Sequence, residues 1–72
     1  MKKLSVRLQL GQRVRELRLA EGWSQEELGS RCGLDRTYVS GIERGVRNPT
    51  LSVMESLVAG LGISVGDLFP KN

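Results

Sequence analysis

The sequence contains no histidine and a single cysteine, Cys32. One cysteine excludes an intrachain disulfide, and a zinc site needs about four protein ligands, or three plus water. No metal and no cofactor are therefore expected. A domain of 72 residues buries a modest core. With neither staple to hand, association with a second copy is the natural supplement. The lack of a disulfide framework fits a reducing compartment, so a cytoplasmic location is expected. Long apolar runs are missing too: nothing approaches the ~20 residues that span a bilayer, and no membrane partner is expected. Lys2 and Lys3 stand where a signal peptide carries its charges. Arg7, Gln9, Gln12 and Arg13 interrupt any apolar stretch behind them, which argues against export. Aromatic residues number three and period-2 alternation persists nowhere, so strands are not expected.

What is present is basic, and unevenly so. Eleven lysines and arginines stand against eight acids, a net charge of +3. Residues 1–18 hold Lys2, Lys3, Arg7, Arg13, Arg15 and Arg18 against Glu16, while residues 50–72 hold Lys71 against Glu55 and Asp67. A basic front and a near-neutral, apolar back point to a polyanion at one end and a protein contact at the other. Solvated helix faces can be equally basic, so the charge gains meaning only from the motifs it accompanies.

Helical spacing recurs along the chain. Leu10, Val14 and Leu17 repeat at i, i+4, i+7 on one stripe of a first helix over about residues 6–21. Gly22 ends it in a left-handed conformation, and Trp23 folds back onto the core. Ser24-Gln25-Glu26-Glu27 reads as a capping box opening a second helix that runs to about Cys32, where Gly33 stops it. Asp35 caps a third helix over residues 36–44, closed by Gly45. Thr50, after the Asn48-Pro49 turn, caps a fourth, in which Leu51, Met54, Leu57, Val58 and Leu61 share one face. Gly62 ends that helix, and Ser64 caps a short fifth one through Leu68, before Pro70.

The most specific signal lies between Gln25 and Arg44. Gly29 sits in mid-helix, at a cost of ~1 kcal/mol relative to alanine, which predicts close approach of a neighbouring helix. Gly33 supplies the positive φ of a tight turn. Leu28, Cys32, Leu34, Val39 and Ile42 are spaced to point inward, leaving Arg36, Thr37, Ser40 and Arg44 facing outward. This is the pattern of a helix-turn-helix.

At this point the chain resembles a known family. The run SQEELGSRCGLDRTYVSGIERGVRNPTL, followed by LGISVGDLF, looks like the phage-repressor-like regulators of the Cro/C1 or Xre type, over roughly residues 8–69. The segment LDRTYVSGIERGVRNP looks most like the controller proteins of restriction–modification systems, small dimers that bind their own promoter region. The resemblance implies an all-α, compact five-helix bundle of the lambda-repressor-like type, a single DNA-binding domain over residues 1–72. Its helix-turn-helix would occupy about residues 25–44 and its dimerisation region about 51–69. The expected partners are double-stranded DNA and a second copy of the chain. No small-molecule inducer is expected, since no second domain is there to hold one.

Roles for individual residues follow from the motif. Arg36, Thr37 and Ser40 are the candidate base readers, since arginine can bond bidentately to guanine and threonine can offer a hydroxyl and a methyl. Gln25, Tyr38, Arg44, Arg47 and Asn48 are candidates for the DNA backbone, Gln25 at a helix N-terminus that favours phosphate. Arg13, Lys2 and Lys3 are further phosphate candidates. Gly41 departs from the many relatives with a longer polar side chain there, which puts direct readout by the later part of the helix in doubt. The resemblance makes Arg18 and Glu43 a structural ion pair. It also places the dimer interface at Val53, Ile63 and Val65. Cys32 and Trp23 read as core. Two other function classes stand against this reading. A partner-binding module such as an antitoxin shares the fold. An enzyme is hard to build without histidine, a metal cluster or a phosphate-cradling glycine loop, and Ser24 and Ser40 have no candidate base.

Overall fold

The computed structural model describes residues 5–69. Lys2 and Lys3 lie outside the described residues. Four α-helices follow one another: α1 (Val6–Glu21), α2 (Gln25–Cys32), α3 (Arg36–Glu43) and α4 (Leu51–Leu61), then a 3-10 turn at Val65–Leu68. Every described element is helical. The expected fifth α-helix is corrected to this single 3-10 turn. Its amides reach back three residues, Asp67 to the Ser64 carbonyl at 3.0 Å and Phe69 to that of Gly66 at 3.5 Å. Four residues are too few to repay the nucleation of an α-helix. Asp67 reaches back to the Ser64 amide and hydroxyl at 3.2 and 3.1 Å, which holds the turn.

The helix starts follow their caps. The hydroxyls of Ser5, Ser24 and Thr50 accept from the amides of Leu8, Glu27 and Val53, and the Asp35 carboxylate accepts from that of Thr37. The capping box at Ser24 forms by half. The Glu27 carboxylate turns away from the Ser24 amide to pair with Arg31 at 2.8 Å, one turn along the helix.

α3 packs against α1 and α2, and α2 packs against α4, so that the recognition pair is wedged between the first and last helices. Leu10, Val14, Leu28, Cys32, Val39, Ile42, Leu57, Leu61 and Leu68 form one buried cluster drawn from every element. Trp23 is half-buried against that cluster, with the Arg31 guanidinium 4.2 Å from its ring centre. Leu51 departs from its expected place: it is 77% exposed, because the first turn of α4 extends past the core. Gly29 is corrected in part. A Cβ there would lie 2.5 Å from the Leu34 carbonyl oxygen and 3.5 Å from Val39 Cγ2, so the close neighbour is chiefly the turn itself. Gly33 enters that turn at φ 69°, as expected. Among the described residues no helix is long and apolar enough to cross a membrane.

Candidate nucleic-acid interface

The outward face of α3 starts from its cap. Asp35 accepts from the Thr37 amide at 3.0 Å and also from the Thr37 hydroxyl. These bonds, the hydroxyl's first, hold the Asp35 carboxyl below its ordinary value. A depressed carboxylate stabilises the helix start above the unfolded pKa, about 3.9, and the contribution is lost as pH falls through the folded value. The Asp35 carboxyl resonance is therefore expected to titrate in NMR at lower pH than in the unfolded chain, and a midpoint at or above the unfolded one would contradict the cap. The Thr37 hydroxyl donates to Asp35, which leaves the oxygen lone pairs and the methyl of this exposed side chain unused by the cap. Arg36, Thr37 and Arg44 are exposed, and Ser40 is half-buried beneath the Arg44 Nε, 3.4 Å from its hydroxyl.

Beside α3 lies an open cleft of about 230 Å³ lined by Arg15, Arg18, Gln25, Ser40, Glu43 and Arg44. The Arg18 Nε and Nη2 donate to Glu43 at 2.7 and 3.0 Å, and Nη1 donates to the Trp23 carbonyl at 2.9 Å. Glu43 raises the Arg18 pKa through its hydrogen bond, and through its charge, against the opposing effect of burial. The same carboxylate accepts from Gln25 Nε2 at 3.1 Å. Gln25 is thus anchored to the ion pair at the first position of α2. Three arginines against one glutamate leave the cleft lining net cationic, beside a helix start whose first turn carries Glu26 and Glu27.

The cleft includes a residue that sequence reasoning passed over. Arg15 was counted only as charge, although it sits three positions before Arg18, where helical neighbours meet. Arg13 goes the other way: its Nε donates to the Asp67 carbonyl at 2.8 Å and its Nη1 pairs with Glu16 at 3.1 Å. It ties α1 to the C-terminal turn. Of the described arginines of the front half, Arg15 lines the cleft, Arg18 lies in the buried pair, Arg13 makes a tertiary tie and Arg7 is exposed.

The loop after α3 carries Arg47 and Asn48, both exposed, with the Arg47 guanidinium 5.4 Å from the centre of the half-buried Tyr38 ring. Of the expected dimer residues, Val65 is 56% exposed, whereas Val53 and Ile63 are half-buried against the core of their own chain. Val65, Leu51, Met54, Glu55 and Phe69 line an almost wholly apolar groove of about 410 Å³. Sequence periodicity missed Leu51 for this face by assigning it inward. Cys32 is buried and burial pushes its thiol pKa up, which lowers its thiolate content and reactivity. Among the described residues, no three His, Cys, Asp or Glu side chains are grouped as a metal site would require.

Two helices set across a glycine turn, the second with its polar face turned outward, define a helix-turn-helix protein. Residues 14–68 match that family, and the chain belongs to it, as a DNA-binding transcription regulator of the Xre type. Control protein C.BamHI of Bacillus amyloliquefaciens is 46% identical over 65 residues, covering 89% of this chain and 80% of that protein. A hypothetical transcription factor of Neisseria meningitidis serogroup B is 48% identical over 63 residues; they are 88% of this chain but only 59% of that protein's length. Among solved structures, the restriction–modification controller protein C.AhdI of Aeromonas hydrophila superposes with a TM-score of 0.85 at 49% identity, covering 88% of this chain and 96% of that one.

Proposed function

We propose that this chain is a sequence-specific regulator that binds double-stranded DNA as a homodimer and acts as a controller of a restriction–modification system on its own promoter. The observation that carries the reading is the exposed polar face of α3 standing next to a cationic cleft at the start of α2. In this arrangement α3 enters the major groove, with Arg36 reading a guanine and Thr37 and Ser40 contacting neighbouring base edges. Gln25, Tyr38, Arg44, Arg47 and Asn48 hold the DNA backbone, joined by Arg15 in the cleft. The controller assignment is supported by the likeness to C.BamHI and C.AhdI.

The dimer is supported by the apolar groove at the other end. Leu51 and Val65 are far more exposed than the core leucines, and Met54 and Phe69 continue the same surface. Val53 and Ile63 add whatever area their own core leaves uncovered. A two-fold axis through this face sets the two recognition helices about 34 Å apart, which corresponds to half-sites about 10 base pairs apart on a near-palindromic operator.

Arg36→Ala tests the reading directly. It should weaken operator binding by about 1–3 kcal/mol per half-site while leaving binding to unrelated DNA almost unchanged. Titrations against both DNAs at one salt concentration measure the difference. Equal losses on the two would remove Arg36 as a base reader.

A further inference from the structure

α1 meets two different parts of the fold through different sides. Its Arg18 donates to Glu43 of α3, and a Cβ built at Gly11 would collide with the carbonyl oxygens of Ile42 and Glu43. These close approaches seat α1 on the C-terminal end of the recognition helix. On another side of α1, the Arg13 Nε donates to the Asp67 carbonyl at 2.8 Å. Asp67 belongs to the 3-10 turn, whose Val65 lines the apolar groove together with the next residue after the turn, Phe69. The turn is also held through Leu68, fully buried in the same cluster as Leu10 and Val14 of α1. One helix thus joins the recognition helix to the groove, and Arg13 is a polar bond on the groove side.

We propose that Arg13 is a positioning residue for DNA recognition: by fixing the angle of the 3-10 turn against α1, it sets the half-site spacing that the dimer accepts. The inference rests on the dimeric, DNA-reading role set out above. Burial of Leu68 holds the turn to the core, but apolar contact is non-directional and leaves rotation about that side chain open. A guanidinium–carbonyl hydrogen bond has a preferred distance and angle, and it supplies the missing constraint. The bonds from the Ser64 amide and hydroxyl to the Asp67 carboxylate stiffen the turn internally, so its angle passes as one unit to Val65 and Phe69. A two-fold axis applies any change in that angle to both protomers. Each base pair added between half-sites moves them about 3.4 Å apart and turns them by about 35° around the duplex. A fixed joint meets one spacing squarely and resists its neighbours. A loosened joint tolerates several.

The test measures binding to duplexes that carry two inverted copies of the selected half-site, with centres about 8 to 13 base pairs apart. Wild type is compared with Arg13→Met, Arg13→Gln and Glu16→Ala, alongside melting curves and sedimentation. Arg13→Met removes every donor but keeps an apolar stem, and Arg13→Leu is a second donorless variant should it fail to fold. The donorless variant should flatten the wild-type preference for one spacing by roughly 10-fold, with the same bases selected inside each half-site. Arg13→Gln should restore most of that preference, because its Nε2 stands as many bonds from the backbone as the arginine Nε and carries no charge. Glu16→Ala removes the other partner of Arg13, at an exposed pair, and should leave the spacing profile unchanged. Equal weakening at every spacing in both Arg13 variants, with a shallower salt dependence, would make Arg13 a phosphate contact and overturn the proposal. An unchanged profile in the donorless variant, or a folded variant that sediments as a monomer, would overturn it too. If the wild type itself prefers no spacing, the dimeric reading fails and the proposal falls with it.

Discussion

Glu43→Ala is expected to cost the domain about 3–5 kcal/mol, because it strands a buried charge. The Glu43 side chain is 4% exposed and that of Arg18 10% exposed. Their two hydrogen bonds, at 2.7 and 3.0 Å, supply the only carboxylate that Arg18 meets among the described ion pairs. Removing it leaves the guanidinium with the Trp23 carbonyl alone, and releases Gln25 as well. A chain of 72 residues has a total stability of about 4–11 kcal/mol. The loss therefore takes a large share of the whole. Urea unfolding should display it as a lowered midpoint with an unchanged slope. Glu27→Ala offers the contrast, since the Arg31–Glu27 pair is about half exposed at both ends and such pairs contribute about 0.2–1 kcal/mol. If Glu43→Ala costs no more than Glu27→Ala, the pair is not what holds α1 to α3.

The second large effect concerns the apolar groove. Leu51→Glu and Val65→Glu are each expected to leave the fold intact and to abolish the dimer. Both side chains are mostly exposed, so the substitutions empty no core site, and far-UV circular dichroism and melting should stay close to the wild type. A two-fold interface uses the same patch twice, so each substitution places two carboxylates in one apolar contact, next to Glu55 from each copy. A monomer reads only one half-site. Its operator affinity should fall by about 100-fold or more, against a specific preference of about 10³–10⁷ for a complete site. Sedimentation and operator titration check the two halves of this expectation. A folded variant that sediments as a dimer would remove the groove as the interface.

Much of this architecture was legible because caps and glycines are local signals. Ser24, Asp35 and Thr50 start helices with their own side chains, and Gly22, Gly33 and Gly62 end them at φ of 69–77°, with no help from distant residues. Some misreadings depend on what lies opposite, and others on local competition. Periodicity put Leu51 on the correct stripe of α4, but no spacing rule tells where the core stops along that stripe. The residues 65–68 carried a cap and a stop without the length an α-helix needs. Arg13 and Arg15 are two positions apart and chemically identical. Only the packing sends one to the Asp67 carbonyl and the other to the cleft. Glu27 spends its carboxylate on Arg31, one turn along α2, rather than on the Ser24 amide. Gly41 was visible as a missing side chain; that Arg47 occupies its place is a tertiary fact.

The measurement that tests the central claim most directly is selection from a random double-stranded DNA pool by the purified protein, followed by sequencing of what it retains. The account predicts enrichment of a two-fold symmetric site whose half-sites lie about 10 base pairs apart, and a copy of that site upstream of the protein's own gene. Retention of DNA without any enriched sequence, or no retention even at low salt, would contradict it.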